Sequence, residues 1–169
     1  MEWNLTKDQQ LVRETVSKIA QKELAPKAAE VDRTGSFVWE QLKKLKEADV
    51  LGLAISSEYE GMGLDTLSFV LAIEEIAKAC ASTALAVVSH SICSYIILCA
   101  GNDNQKKRYL PSMAKGEKLG AFCVHEPNCG SNALAIETKA ILEKDAYIVN
   151  GSKIFITNAQ EAEIYAVLV

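Results

Sequence analysis

The residues best suited to chemistry lie in the stretch FCVHEPNCGS, Phe122 to Ser131, where an apolar, strand-like start breaks into a polar loop with a proline and a glycine. A loop ending in Gly-Ser can turn several backbone N–H groups toward one point, which suits a phosphate, although the same composition also serves plain chain reversal. His125 is of a residue type that can be charged near neutral pH, and Glu126 has the residue type of a general base. A second run, Ser152 to Thr157, contributes Thr157, which read alone is only a strand threonine.

Other reactive residue types carry less. His90 sits in the most apolar segment with no accompanying ligand cluster and reads as a hydrogen-bonded core histidine. Glu74 and Glu75 are adjacent on a helix, so they point in different directions and form no acid/base pair. Cys80, Cys93, Cys99, Cys123 and Cys129 include no C-x-x-C pair, which leaves buried reduced thiols and no metal site.

The 169 residues are 49% hydrophobic and 24% charged, enough for one substantial core or two small domains. Eighteen Lys and Arg against 22 Asp and Glu give a net charge of −4 without long runs of either sign, so no nucleic-acid partner is expected. The start MEWNLTKDQQ lacks the basic and apolar run of a signal peptide. A cytoplasmic location follows, or a mitochondrial matrix one if a transit peptide has been removed. Ala84 to Ala100 is interrupted by Ser89, His90, Ser91 and Ser94 and reads as a buried helix, not a membrane span.

The elements that must position the loop begin as helices. Thr6-Lys-Asp-Gln9 is a capping-box pattern, followed by Leu11, Val12, Val16, Ile19, Ala20 and Leu24 at helical spacing until Pro26. A second helix is predicted over Val38–Val50, with Gly52 at its end. Glu58 to Asp65 is a glycine-containing connection in which Asp65 can cap the next helix. Helices over Thr66–Cys80 and Thr83–Cys99 follow, apolar around much of their circumference and therefore central, with Gly101 ending the second. A shorter helix over Asn104–Ala114 contains Pro111.

Beyond Gly116 the period becomes strand-like: Leu119–Val124, Ile136–Leu142, Tyr147–Val149, Ser152–Thr157 and Ile164–Val169. Asn150-Gly151 is the strongest hairpin signal, since both residues tolerate the positive φ of a type I′ turn. The chain is thus α+β, a helical domain over 1–118 followed by the start of an antiparallel β domain over 119–169. An apolar last strand running to Val169 leaves an open edge, which gives the expectation of a β domain cut short.

This order, with GAFCVHEPNCGSN and then YIVNGSKIFITNA, resembles the acyl-CoA dehydrogenase family, whose members carry a Thr/Ser-Glu-Pro-Gly-x-Gly-Ser-Asp loop and an Asn-Gly-x-Lys-x-(Trp/Phe)-Ile-Thr-Asn segment. Glu58-Tyr-Glu-Gly-Met-Gly-Leu-Asp65 and Gln105-Lys-Lys-Arg-Tyr-Leu-Pro111 also look like family segments, so the resemblance spans essentially the whole chain. It implies an FAD site lined by Phe122, Cys123, Val124, His125, Glu126, Pro127, Asn128, Cys129, Gly130 and Ser131, with Gly130 and Ser131 nearest the pyrophosphate and Ser131 also touching an acyl-CoA thioester. Phe155, Ile156 and Thr157 would complete that site, Phe155 in place of the commoner tryptophan and Thr157 at the flavin's reactive edge. In that family Glu126 belongs to the loop's architecture.

His125 departs from the usual Thr or Ser, Asn128-Cys129 from Gly-Ala or similar, and Asn132 from Asp. His125 can tune a flavin by donating to it, or be an ordinary surface histidine. Asn128 tolerates the left-handed backbone that glycine supplies. The resemblance implies oxidation of acyl-CoA to 2,3-enoyl-CoA by α-proton abstraction and hydride transfer. It also implies an electron-transfer flavoprotein or similar acceptor and a homo-oligomer. The family's base glutamate lies in a C-terminal helical domain to which nothing here corresponds. A non-catalytic flavin or acyl-CoA binding or assembly module with the same fold is the alternative.

Overall fold

The computed structural model describes residues 4–169, so the polar start read at Met1 to Trp3 lies outside the described residues. Helix α1 (Lys7–Ile19) opens on the predicted capping box: the Thr6 hydroxyl accepts the Gln9 N–H at 3.2 Å, and the Gln9 side chain accepts the Thr6 N–H at 3.0 Å. Its apolar rows bury Val16, and Ala20 and Leu24 just beyond it.

The rod does not stop at Pro26, as the sequence predicted. Ala20–Leu24 widens into a π-helical turn, with the Ala25 N–H donating to the Ala20 carbonyl, and α2 (Ala25–Thr34) continues beyond. Widening at this point places Pro26 in the first turn of a new helix, where its missing N–H and its ring are tolerated. Gly35, at φ 66°, ends α2.

Helix α3 (Trp39–Lys46) is shorter than the predicted Val38–Val50. Asp49 takes the left-handed conformation, at φ 57°, and Val50–Gly52 forms a 3₁₀ turn, so Gly52 is not the terminator. Its lack of a side chain serves packing instead: a Cβ there would lie 2.7 Å from the Ala114 carbonyl oxygen. Asp65 caps α4 (Thr66–Ala79) as predicted. One carboxylate oxygen accepts the Ser68 N–H at 2.7 Å and the other accepts the Gln9 side-chain amide at 2.9 Å, joining the starts of α1 and α4.

Helix α5 (Ala81–Ala100) is long and apolar enough to cross a membrane by composition, yet it packs against α4, α6 (Asp103–Ala114) and the first strand. Val87, His90 and Cys93 are fully buried along it. One core joins Val16, Leu24, Leu45, Ile76 and Val87; a second joins Ile55, Leu110 and Met113 to Ile164 of the β portion.

Strand β1 (Gly120–Cys123) pairs in parallel with β4 (Ile164–Val167), from Gly120 opposite Ile164 to Cys123 opposite Val167. The antiparallel pairing expected of the β portion is made by β2 (Lys139–Glu143) and β3 (Ala146–Asn150).

The β2–β3 turn is at Lys144-Asp145, with Lys144 at φ 55°, and Asn150-Gly151 is not the hairpin turn. Gly151 is needed for close approach, since a Cβ there would fall 2.2 Å from the Thr138 hydroxyl oxygen. Nor is Ser152–Thr157 a strand. Lys153 is drawn inward to Glu126, and positive φ at Phe155 (53°) and Asn158 (69°) bends the chain out of any ladder.

Candidate functional site

β1 carries the loop to the surface beside the middle of α5. Phe122 and Val124 leave the strand end facing Leu85, Val88 and Ile92 of the helix, and the bend at Phe155–Thr157 closes the opposite side. Together with Ser89 and His125 these residues enclose a cavity of about 250 Å³. The two sequence motifs, about thirty residues apart, therefore meet at one place. The join is direct: the His125 carbonyl accepts the Ile154 N–H at 3.0 Å, and the Ser89 hydroxyl donates to the Thr157 carbonyl at 3.2 Å.

Phe155 is 89% exposed and holds a left-handed backbone conformation that bulky residues rarely adopt. Its neighbours impose it. Lys153 anchors the chain on one side, and on the other the buried Asn158 amide donates to the carbonyls of Ala86 (2.9 Å) and Gly120 (3.0 Å). An aromatic ring is thereby presented to an open apolar slot.

Glu126 does not face that slot. Its carboxylate is buried and accepts the N–H groups of Glu137 (2.7 Å) and Thr138 (3.0 Å), the Thr138 hydroxyl, and the Lys153 ammonium at 2.8 Å. Lys153 also donates to the Val124 carbonyl at 3.1 Å. The bond from Lys153, then those from Thr138 and Glu137, hold the Glu126 carboxyl down at about 2. Near neutral pH it is an anion that ties the loop to the start of β2 and to the Lys153 segment, and it is a poor proton acceptor.

The rest of the loop divides by burial. Cys123 and Cys129 are buried, the Cys129 thiol donating to the Asn132 carbonyl at 2.9 Å. Glu126 and Cys129 exchange both backbone bonds, so Pro127 and Asn128 form an exposed two-residue turn. Gly130 and Ser131 are exposed beyond it, and a Cβ on Gly130 would meet nothing within 4 Å. Ile156 faces away from the slot into a neighbouring cavity of about 650 Å³, beside Phe37 and Val31. His90 is the core residue that the sequence predicted. Its Nδ1 accepts the Gly120 N–H at 3.1 Å, and burial lowers its pKa to about 4, so the ring is neutral with its proton on Nε2.

Sequence reasoning assigned no task to Lys153, Thr138, Ser89 or Asn158. Only Lys153 and Asn158 carried a signal, as fixed letters of the quoted Asn-Gly-x-Lys and Ile-Thr-Asn patterns; Thr138 and Ser89 had none.

The family model for the N-terminal domain of acyl-CoA dehydrogenase matches residues 6–117, and the model for the middle domain matches residues 121–169. This chain belongs to the acyl-CoA dehydrogenase family. It is 44% identical over 168 residues to the short-chain-specific acyl-CoA dehydrogenase of Clostridium acetobutylicum, covering 99% of this chain and 44% of that protein.

Among solved structures, butyryl-CoA dehydrogenase from Megasphaera elsdenii superposes with a TM-score of 0.91 at 38% identity, over 99% of this chain and 45% of that one. A chain solved in work on the electron transferring flavoprotein of Acidaminococcus fermentans gives 0.93 at 42%, over 99% and 44%. The acyl-CoA dehydrogenase-like α+β fold is thus shared along the whole chain. The chain spans a little under half the length of these relatives.

Proposed function

We propose that this chain builds the cofactor-facing half of an FAD-dependent acyl-CoA dehydrogenase, which converts an acyl-CoA thioester to its 2,3-enoyl product. The observation that carries this is the meeting of the two motifs around one apolar slot against α5. The slot fits a flavin ring by its chemistry: Phe122 and Phe155 offer aromatic faces, Leu85, Val88 and Ile92 an apolar wall, and Thr157 a hydroxyl. Gly130 and Ser131, exposed with open space above the glycine, suit the approach of a pyrophosphate to backbone. Ser131 would serve the thioester as well.

FAD, when bound, supplies the two-electron acceptor that no side chain here can be. The residues of this chain bind, orient and shield it. The division of labour is set at residues 118 and 119, with the helical part giving the α5 wall and the β part the loop and the Phe155 bend. Among the described residues no carboxylate lines the slot, so a base for the α proton comes from outside them. The relation to a chain studied with an electron transferring flavoprotein supports such a protein as electron acceptor, and a homo-oligomer is the assembly that the family resemblance implies.

FAD binding tests this, followed by quenching of flavin fluorescence and by the visible spectrum. Thr157→Ala should weaken binding or shift the spectrum by the loss of one hydrogen bond, on the order of 1 kcal/mol or roughly fivefold in Kd. Ser152→Ala, outside the slot, should leave both unchanged. Identical behaviour of the two variants removes Thr157 from the site, and absence of any FAD binding removes the site.

A further inference from the structure

Within the slot between α5, the end of β1 and the Phe155 bend, one lining group is ionisable near neutral pH. That group is His125; the other lining residues are apolar, aromatic or hydroxylic. Each element packed around it is otherwise without a switchable charge at this place. Helix α5 contains no Asp, Glu, Lys or Arg, and its own imidazole, His90, is buried on Gly120. Tyr95, Cys93 and Cys99 of that helix do not line the slot.

The Phe155–Thr157 bend has no charged residue, and the two charges flanking the slot in sequence, Glu126 and Lys153, are spent on each other, with Thr138 and Val124. The backbone of His125 is held at the seam of the two motifs, where its carbonyl accepts the Ile154 N–H at 3.0 Å. An occupant of this slot meets a single ionisable side chain, His125, which is exposed at the edge of the apolar walls.

We infer that His125 is a pH-dependent donor to the occupant of the slot and that, for FAD, it sets how the flavin's potential varies with pH. This rests on the flavin reading above and deepens it. Were FAD held here and reduced by a two-electron donor, the added negative charge would favour the protonated imidazole, which would take its proton from solvent and return it on reoxidation. Protonation and reduction thus favour one another through His125, by linkage that runs equally in both directions.

The chain has two histidines, and His90 stays neutral to about pH 4, so a ring resonance titrating between pH 5 and 8 belongs to His125. Proton NMR of the 169-residue chain follows that resonance alone, with FAD, and with FAD reduced by dithionite; His125→Gln confirms the assignment. The midpoint should rise on reduction by about one pH unit, a tenfold gain in proton affinity. The flavin potential should fall more steeply with pH across that range than in His125→Gln or His125→Thr. FAD that binds without moving the midpoint overturns the inference and leaves the flavin reading standing. Lack of FAD binding, seen as unquenched fluorescence, overturns both. If a variant loses FAD, the shift on reduction in the unsubstituted chain still decides.

Discussion

At the scale of single residues, Glu126 and His90, both buried near the loop, work in opposite directions. Glu126 is charged and well supplied with donors, and its carboxyl, held at about 2, is ionised near neutral pH. His90 is neutral because burial holds its pKa near 4, below the ordinary 6.5. Between those two values the unfolded chain binds a proton that the folded chain refuses, so stability rises with pH from 4 to 6.5 and is flat above.

The His90 term amounts to about 3 kcal/mol when complete. Asp65, Glu75 and Glu126, whose pKa values are lowered by their partners, add losses only as pH falls below about 4.5, so the interval from 6.5 to 5 isolates the histidine. Urea unfolding across that interval should show the decline, and His90→Gln, which keeps an acceptor for the Gly120 N–H, should flatten it. A pH slope unchanged by the substitution would show that His90 is not its source.

At the scale of elements, what was legible in the sequence was what depends on neighbours along the chain. The Thr6 and Asp65 caps, the apolar circumference of α5 and the strand before the loop were all readable, because caps and periodicity are local. The misread elements are those in which a distant partner decides. Pro26 was read as a stop, but a π-turn absorbs it. Asn150-Gly151 was read as a turn, but Gly151 is flat against Thr138, and the run after it is pulled from strand geometry by Lys153 and Asn158.

The loop itself was identified by residue type and by family resemblance, whereas the Glu126–Lys153–Thr138 knot that holds it was not. Two glycines make the distinction measurable. Gly151→Ala must displace Thr138 and with it a ligand of Glu126, a cost of about 1–3 kcal/mol. Gly130→Ala meets open space and should leave stability within about 0.5 kcal/mol while weakening FAD binding. Thermal unfolding of the two variants separates a glycine needed by the fold from one needed by a ligand. Equal losses of stability would refute that division.

At the scale of the whole molecule, the slot is walled on three sides and no carboxylate faces it. Glu126, the nearest carboxylate in sequence, is spent on Lys153 and Thr138 behind the loop, and His90 is sealed in the core. The β2–β3 pair leaves apolar side chains uncovered: Ile141, Leu142, Tyr147 and Val149 are each more than half exposed. Removal of an α proton requires a base within hydrogen-bond reach of it, and exclusion of water requires a cover over the slot.

The 169 residues alone should therefore bind FAD and show no dehydrogenation of acyl-CoA thioesters. The check is incubation with FAD, thioesters of several chain lengths and an artificial electron acceptor, against free FAD as background. Turnover above that background would place a base within these residues. His125 would then be the first group to substitute, since it is the one lining side chain with a basic ring nitrogen.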